Sequence, residues 1–495
     1  MNTKFRAIAV LVVAALGFLA GTASAGGRAE QAAAQDGAVQ LRIYVGEFTP
    51  RERLPSDRWD PPSYLNTIIE KYQDLHPNVR FDILPEIPDG DEFLTWITTQ
   101  YLAASGPDVG TMLFSEVNRN AHRGWFADLL PYLEQPNPYV EGNEAWKDIF
   151  LQGVLDTGTA PDGNMYVLPT GLVGTAIFYN QDIFDEVGVE PPETWAQFMD
   201  VQRRIKDAGY IPFAFHMSGN PYQANWALRS MQDMILDDRL GDIKGTGEPI
   251  ERTTIEAEGV SQKELVAAIR RGDYTALDPQ WQEQLRLLKE WSQYWDPSWI
   301  AMNVDDAHRS FVRGQSAMMW HSSGRVRMIE ADTLRDFEYG TFSFPTITRE
   351  SSPYATGVPA PAIGGYTGAG AFTVAQRTAE RGTRDASVDF LRFLTAPQNF
   401  VPLHEDLGAY APGIRGDFDV SPEIRPFLDS LARGTFRIES FFRGLTRQYS
   451  DEFVRVLQEY LTNRVSLEQA SRTIQGLLDQ AAEDLIESHN WTDIP

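Results

Sequence analysis

Polar and aromatic side chains directly follow two of the predicted strands, which is where an open α/β sheet binds its ligands. Glu47 and Phe48 follow the first predicted strand, and Ser115 and Glu116 follow the third. An aromatic face covers the apolar CH face of a sugar ring, while carboxylates and hydroxyls bond its hydroxyl groups. These four residues are therefore candidates for binding a small polyhydroxylated molecule.

A second set of candidates lies in the middle of the chain. Trp226 follows an Asn-Pro-Tyr loop, and Trp320 and His321 follow a predicted strand, Ala317-Met-Met. Each tryptophan has two interpretations, stacking on a ligand or burial in the core, because strand alternation can turn Trp320 inwards. A metal-binding role for His321 is disfavoured, since the other histidines are isolated in sequence.

Motifs of common catalytic and cofactor sites are missing from the sequence. It has no Gly-x-Ser-x-Gly, Walker loop, His-Glu-x-x-His or complete Gly-x-Gly-x-x-Gly pattern, and no cysteine. Asp89-Gly-Asp91 lacks the remaining ligands of a calcium loop. The acid pairs Asp237-Asp238 and Asp305-Asp306 can serve as a glycosidase dyad only at a set separation in space. We therefore expect no catalytic residue, no metal site and no cofactor.

The first 25 residues have the three parts of a secretory signal peptide. Lys4 and Arg6 form a basic start, residues 7–20 are an apolar run, and Ala23-Ser24-Ala25 is a small-residue cleavage site. The apolar run is shorter than the about 20 residues that span a bilayer. We expect cleavage of 1–25, a flexible lead-in over 26–38 and a periplasmic protein, with no lipid anchor because no cysteine is present to carry one.

The chain is strongly acidic, with a formal net charge of -26 at pH 7. Such a charge repels phosphate backbones and anionic lipid headgroups. No segment after the signal peptide is apolar for long enough to cross a membrane. These features predict no nucleic-acid partner and no stable membrane insertion.

Strand-like and helix-like segments alternate in the first part of the chain. Residues 40–46 and 79–83 alternate between apolar and polar residues, and 63–76 and 91–104 have apolar residues at helical spacing. Strand–helix–strand order predicts a doubly wound parallel sheet. Further on, Thr194 and Ser466 begin capping boxes, each ahead of a predicted helix. The polar stretch 237–258 is predicted to be a surface excursion.

Several short motifs occur in a fixed order along the chain. They are His76-Pro-Asn-Val-Arg-Phe81, Leu102 to Val109, Gly124 to Leu133, Asp162 to Phe215, Phe311 to Met319, Asp385 to Gln398 and Leu461 to Leu478. Together they resemble the extracellular solute-binding proteins of carbohydrate ABC transporters, the maltose-binding-protein-like family. The segment from Asp162 to Phe215 is the most specific of them.

This resemblance implies a two-lobed α/β fold, in which each lobe is a mostly parallel sheet flanked by helices. The N-terminal lobe is expected to comprise 39–168 and 372–410, and the C-terminal lobe 172–365 and 411–495. Three chain crossings are expected near 168–174, 365–372 and 408–413. Each is rich in glycine or proline, as a hinge tolerates.

The resemblance also supplies candidates at the three crossings. Thr170 and Gly174 lie at the first crossing, Gly365 and Tyr366 begin the second, and Tyr410 lies in the third. By family position Ser115, Glu116 and Trp226 line the cleft as well. All of them are expected to be ligand-binding residues.

A protein of this family captures a sugar or oligosaccharide between its lobes and delivers it to the permease subunits of an ABC importer. We expect this protein to do so as a monomer. Two alternatives stay open. The same fold can bind a non-sugar solute such as a polyol or glycerophosphodiester, and secretion, acidity and aromatic content are also compatible with a carbohydrate-active enzyme.

Overall fold

The computed structural model describes residues 37–52, 62–87, 91–112, 117, 120–160, 162–169, 171–219, 221–253, 259–365, 371–416, 422–431, 433–440 and 447–494. The predicted signal peptide lies outside these residues, as does nearly all of the predicted lead-in. Within the described residues there is no helix long and apolar enough to span a membrane.

Ten strands form two sheets. They are β1 (Val39–Tyr44), β2 (Val79–Ile83), β3 (Val109–Thr111), β4 (Gly171–Asn180), β5 (Ile211–Ala214), β6 (Ser316–Ser322), β7 (Tyr339–Phe342), β8 (Gly364–Gly365), β9 (Phe372–Val374) and β10 (Ala411–Pro412). These are the strands of the described residues only.

The described residues also form eighteen α-helices. They are α1 (Tyr64–Leu75), α2 (Asp91–Leu102), α3 (Leu130–Leu133), α4 (Gln152–Gly158), α5 (Gln181–Val187), α6 (Trp195–Asp207), α7 (Tyr222–Ile235), α8 (Leu240–Lys244), α9 (Gln262–Arg271), α10 (Pro279–Ser292), α11 (Val304–Val312), α12 (Val326–Glu330), α13 (Thr378–Arg381), α14 (Arg384–Leu394), α15 (Pro397–Leu407), α16 (Arg425–Leu431), α17 (Arg447–Leu461) and α18 (Leu467–His489).

The N-terminal sheet has the strand order β2-β1-β3-β9. Strands β1, β2 and β3 are parallel, and β9 runs antiparallel to β3. The helix α1 crosses over between β1 and β2 and buries Leu65, Ile68 and Tyr72 against the sheet. The predicted strand–helix–strand alternation is therefore confirmed in this lobe.

The C-terminal sheet is mixed rather than mostly parallel, which corrects the prediction for this lobe. Its order is β10-β4-β6-β5, with β7 and β8 also paired to β4. Only β5 and β6 run parallel; every pairing of β4 is antiparallel. The physical reason is that β4 enters the lobe at the edge where β5 and β6 end, so it must run the opposite way.

The three crossings predicted from the sequence lie side by side. Leu168 pairs with Phe372, Gly171 with Pro412 and Val173 with Gly365. We call the described parts of 168–174, 364–372 and 409–413 the crossing ribbon. Its strands join two separate hydrophobic cores, one built from residues 41–168 and 372–414, the other mainly from 177–363 and 436–485. Ile414 packs in the first core, so the prediction that the C-terminal lobe resumes at residue 411 is wrong by a few residues.

Capping boxes fix the starts of two helices, as predicted. The Thr194 hydroxyl accepts from the backbone N–H of Gln197, whose side chain accepts from the N–H of Thr194. Ser466 and Gln469 make the same exchange at the start of α18. Each exchange satisfies two backbone donors that the helix itself leaves unpaired.

The prediction of a surface excursion over 237–258 is wrong in its first half. The helix α8 buries Leu240 and Ile243 in the main C-terminal core. Farther along, the guanidinium of Arg252 donates to the buried carboxylate of Asp233. A polar stretch can be built into a core when its charges are paired, which composition alone does not reveal.

Candidate functional site

Both sheets have the carboxyl ends of their parallel strands next to the crossing ribbon. The carboxyl ends of β1, β2 and β3 lie at the edge where β9 begins, since Thr111 pairs with Phe372. The carboxyl end of β6 lies where β4 leaves the ribbon, since Ser322 pairs with Thr175. Ligands of open α/β sheets bind beyond the carboxyl ends of the strands. The space between these two edges is therefore the candidate site.

Tyr410 touches both edges. Its hydroxyl donates to the carboxylate of Glu47 at 3.4 Å. A Cβ on Gly324, just past the end of β6, would lie 3.0 Å from the same hydroxyl oxygen. Glu47 itself sits in a short 3₁₀ turn after β1 and is partly exposed. The structure thus brings the predicted residues Glu47 and Tyr410 together at the lobe interface.

Aromatic rings form the wall of the site on the C-terminal lobe. Trp226 lies on the second turn of α7 and is partly exposed. Its ring centroid lies 4.4 Å from that of Tyr222, 5.5 Å from that of Trp320 and 6.5 Å from that of His321. Three of the predicted residues, Trp226, Trp320 and His321, therefore cluster.

Trp320 packs behind Trp226, and its own ring is buried in this conformation. It is 1% exposed, stacks on Phe344 and donates its indole N–H to Thr175 at 3.1 Å. Its backbone carbonyl accepts from Gln223 of α7 at 2.7 Å. Of its two interpretations, burial is the one observed here, so it contacts Trp226 rather than offering a surface to a ligand.

The side chain of Phe48 is also buried and does not line the site. It is 1% exposed and its ring packs against Phe372 and His404 in the N-terminal core. Within the 3₁₀ turn that follows β1, Glu47 remains partly exposed while the neighbouring Phe48 is buried. In this conformation the predicted ligand contact is available to Glu47 and not to Phe48.

The two glycines proposed from family position have backbone roles in the crossing ribbon. A Cβ on Gly174 would lie 2.4 Å from the carbonyl oxygen of Phe427 in α16. Gly365 pairs with Val173 across the ribbon. Four other predicted site residues, Ser115, Glu116, Thr170 and Tyr366, lie outside the described residues.

His321 is held as a neutral, hydrogen-bonding ring. Its Nε2 lies 2.8 Å from the Tyr222 hydroxyl and accepts from Arg325 Nε–H at 3.0 Å. Burial holds the pKa of His321 well below its usual value, and the charge of Arg325 lowers it further. The Nδ1 of His321 lies 2.8 Å from the backbone nitrogen of Ser322, so both ring nitrogens have partners and the ring orients the Tyr222 hydroxyl.

Tyr222, Arg325 and His216 belong to the site but were not among the predicted residues. His216 follows β5, is 0% exposed and packs edge-on against Tyr222, and neither of its ring nitrogens has a partner among the described residues. The i,i+4 spacing of Tyr222 from Trp226 places both on one helix face, and that spacing was a usable signal. No comparable pattern in the sequence marks Arg325 or His216.

The two acid pairs considered for catalysis have other contacts. Asp305 accepts from Arg325 at 3.3 Å, and Asp306 accepts from the N–H of Asn303 at the start of α11. Asp237 pairs with Arg437 at 2.8 Å, and Asp238 accepts from Gln280 at 2.7 Å. Among the described residues no group of histidine and acidic side chains is arranged to hold a metal ion.

A family model, that of the bacterial extracellular solute-binding proteins, matches residues 58–399. The sn-glycerol-3-phosphate-binding periplasmic protein UgpB of Agrobacterium fabrum is 33% identical over 72 residues, covering 14% of this chain and 16% of its own length. The multiple sugar-binding protein of Streptococcus mutans is 24% identical over 181 residues, covering 37% of this chain and 38% of its own. These matches therefore span well under half of either relative.

The fold matches solved structures over nearly the whole chain. A chitin oligosaccharide binding protein superposes with a TM-score of 0.64 at 17% identity, covering 90% of this chain and 99% of its own. Similarity at that identity shows a shared fold. It agrees with the two sheets and the crossing ribbon described above.

Proposed function

Because this chain belongs to the family of bacterial extracellular solute-binding proteins, we propose that it binds a sugar or oligosaccharide between its two lobes and delivers it to an ABC importer. The sugar is held without being chemically changed. Two similar proteins are named as a multiple sugar-binding protein and a chitin oligosaccharide binding protein, which supports a carbohydrate as the ligand.

The pair of Tyr222 and Trp226 is the observation that carries this proposal. Two aromatic rings stand together at the carboxyl edge of the C-terminal sheet, and both are partly exposed. Next to them His321 contacts the Tyr222 hydroxyl, and Glu47 and Tyr410 lie at the same lobe interface. Aromatic faces beside planar hydrogen-bonding groups match the alternating CH and OH surfaces of a sugar ring.

The crossing ribbon supplies the hinge in this proposal. Its three segments are short, paired and contain closely packed glycine: a Cβ on Gly364 would lie 2.3 Å from the carbonyl oxygen of Val173. Rotation about a few such residues brings two rigid lobes together around a ligand. The lobes of the proposal are 39–168 with 372–414, and 172–365 with the chain that follows residue 414, because Ile414 packs in the first core.

The partner in the proposal is the permease of the importer, which recognises the closed, sugar-loaded form. The protein acts as a monomer in the periplasm after loss of residues 1–25. The periplasmic location named for the Agrobacterium relative supports this placement. The acidic charge of -26 supports a freely diffusing carrier over one bound to an anionic membrane surface.

Thermal unfolding of the purified protein tests the proposal. The probes are glucose, galactose, maltotriose, raffinose and diacetylchitobiose, with glycerol, glycerol 3-phosphate and two amino acids for comparison. A ligand at 100 times its Kd stabilises by about 2.7 kcal/mol, so a saccharide ligand raises Tm by several degrees. Carbohydrate capture is contradicted if glycerol 3-phosphate is the only probe that raises Tm, or if none of the saccharides raises it. Recovery of a cleaved saccharide contradicts binding without turnover.

A further inference from the structure

The helix α7 is buried on nearly all sides and opens to solvent only through the two aromatic residues of the site. Of its fourteen residues, every one except Tyr222 and Trp226 is buried. The direction in which Trp226 points is therefore set by how this helix is held. Apolar packing resists rotation of a buried helix through the shapes of its neighbours, and hydrogen bonds add contacts that are fixed in both distance and angle.

A row of polar side chains holds α7 along its length. Asn225, Arg229 and Asp233 recur every four residues and so lie on one stripe of the helix. All three are buried. Buried polar groups are costly unless they are paired, so a stripe of them in a core helix needs partners in fixed positions.

One short segment of chain, 437–440, provides a partner for each of the three, and Asp233 also accepts from Arg252. The Asn225 side-chain amide donates to the hydroxyl of Ser440. Arg229 donates through two nitrogens to the two carboxylate oxygens of Glu439. The helix and the segment therefore run past each other in opposite directions, since a later residue of α7 meets an earlier residue of the segment.

The last residue of the row, Asp233, is paired with two arginines, Arg437 and Arg252. Arg437 donates its backbone N–H to Asp233 at 2.6 Å and its guanidinium to the same carboxylate at 3.0 Å. The guanidinium of Arg229 also lies 4.3 Å over the ring of Phe436. The segment comes after the third crossing and after α16, which packs against Gly174 of the ribbon.

We propose that Ser440 and Glu439 are positioning residues for ligand binding: through Asn225 and Arg229 they fix the rotation of α7 and so the direction of the Trp226 ring. They act through another residue and do not touch the ligand. This proposal rests on the proposed function only for its effect on sugar affinity. The orientation of Trp226 can be measured without any ligand.

Near-ultraviolet circular dichroism reports that orientation, since Trp226 lies within 4.4 Å of Tyr222 and 5.5 Å of Trp320. The difference spectrum between the wild type and Trp226→Phe assigns the Trp226 band. Ser440→Ala and Glu439→Gln are then compared with the wild type. Glu439→Gln keeps one acceptor for Arg229, which protects against a folding failure caused by an unpaired buried cation.

Two residues of the same lobe serve as matched controls. Ser471 is buried, and its hydroxyl has no partner among the described residues, so Ser471→Ala removes a hydroxyl without removing a contact of the row. Glu283 binds Arg286 through both oxygens at 2.8 Å on α10, so Glu283→Gln weakens a comparable bidentate pair away from the row.

We expect Ser440→Ala and Glu439→Gln to alter the Trp226 band and to raise the Kd of whichever of the five saccharides binds by about 2- to 10-fold, the value of one aromatic stack. The two control variants leave both readouts unchanged, and Ser440→Thr, which keeps the hydroxyl, restores the band. An unchanged Trp226 band in both test variants overturns the proposal, whether or not a saccharide binds. Absence of saccharide binding by the wild type contradicts the proposed function instead.

Discussion

Replacing Gly174 with alanine places a methyl group where the crossing ribbon meets the backbone of α16. The new Cβ would lie 2.4 Å from the carbonyl oxygen of Phe427 and 2.9 Å from its Cβ. Carbon atoms pack at about 3.5 Å or more, so α16 must move by about 1 Å. Phe427 is fully buried against Phe178, so the movement disturbs a packed core. Overpacking of this kind costs about 1–3 kcal/mol.

The assay is thermal or urea unfolding, with Gly476→Ala as the control. No atom lies within 4 Å of a Cβ at Gly476, which is inside α18, so alanine there stabilises the helix by about 0.5–1 kcal/mol. Gly174→Ala is expected to lower Tm by about 2–5 °C, and Gly476→Ala to raise it slightly. Equal stability of Gly174→Ala and the wild type refutes the packing argument. Loss of ligand affinity with no loss of stability indicates that position 174 contacts the ligand directly.

Three further predictions concern the site, the buried histidines and a helix cap. Trp226→Ala raises the Kd for a bound saccharide about tenfold by calorimetry, while Trp226→Phe keeps part of the stack; equal Kd values for all three proteins contradict the stacking role. Burial lowers the pKa of His216 and of His404 to about 4. The unfolded chain then binds more protons below pH 6.5, so stability falls by about 2 kcal/mol for each histidine between pH 7.5 and pH 5; urea midpoints that are equal or higher at pH 5 contradict this. Thr194→Ala removes the cap of α6 and costs about 1 kcal/mol, and an unchanged urea midpoint shows that the capping box contributes nothing.

Hydrophobic periodicity located the helices and strands of the N-terminal lobe because each has one buried face. The stripe of Leu65, Ile68 and Tyr72 marks α1 in the sequence and packs on the sheet in the structure. The capping boxes at Thr194 and Ser466 likewise predicted where two helices begin. Such signals lie within a few residues of one another, so they can be recognised without knowing which distant segment packs against them.

Features that depend on partners distant in sequence could not be predicted in the same way. Period-two alternation shows that strand residues point to opposite faces, but not which face is covered, so Trp320 and Phe48 were candidates although both are buried. The direction of β4 depends on where the chain enters the second lobe. The pairing of Asp233 with Arg437 joins residues about two hundred positions apart, and no spacing rule indicates it.

The central claim is that the space between the two sheet edges, walled by Tyr222 and Trp226, binds a carbohydrate. Isothermal titration calorimetry with the saccharide that most raises Tm tests it most directly, using the wild type and Trp226→Ala side by side. We expect saturable binding of one saccharide per chain by the wild type and binding about tenfold weaker by Trp226→Ala. Binding that is equally tight in both proteins, or no saturable binding of any saccharide by the wild type, contradicts it.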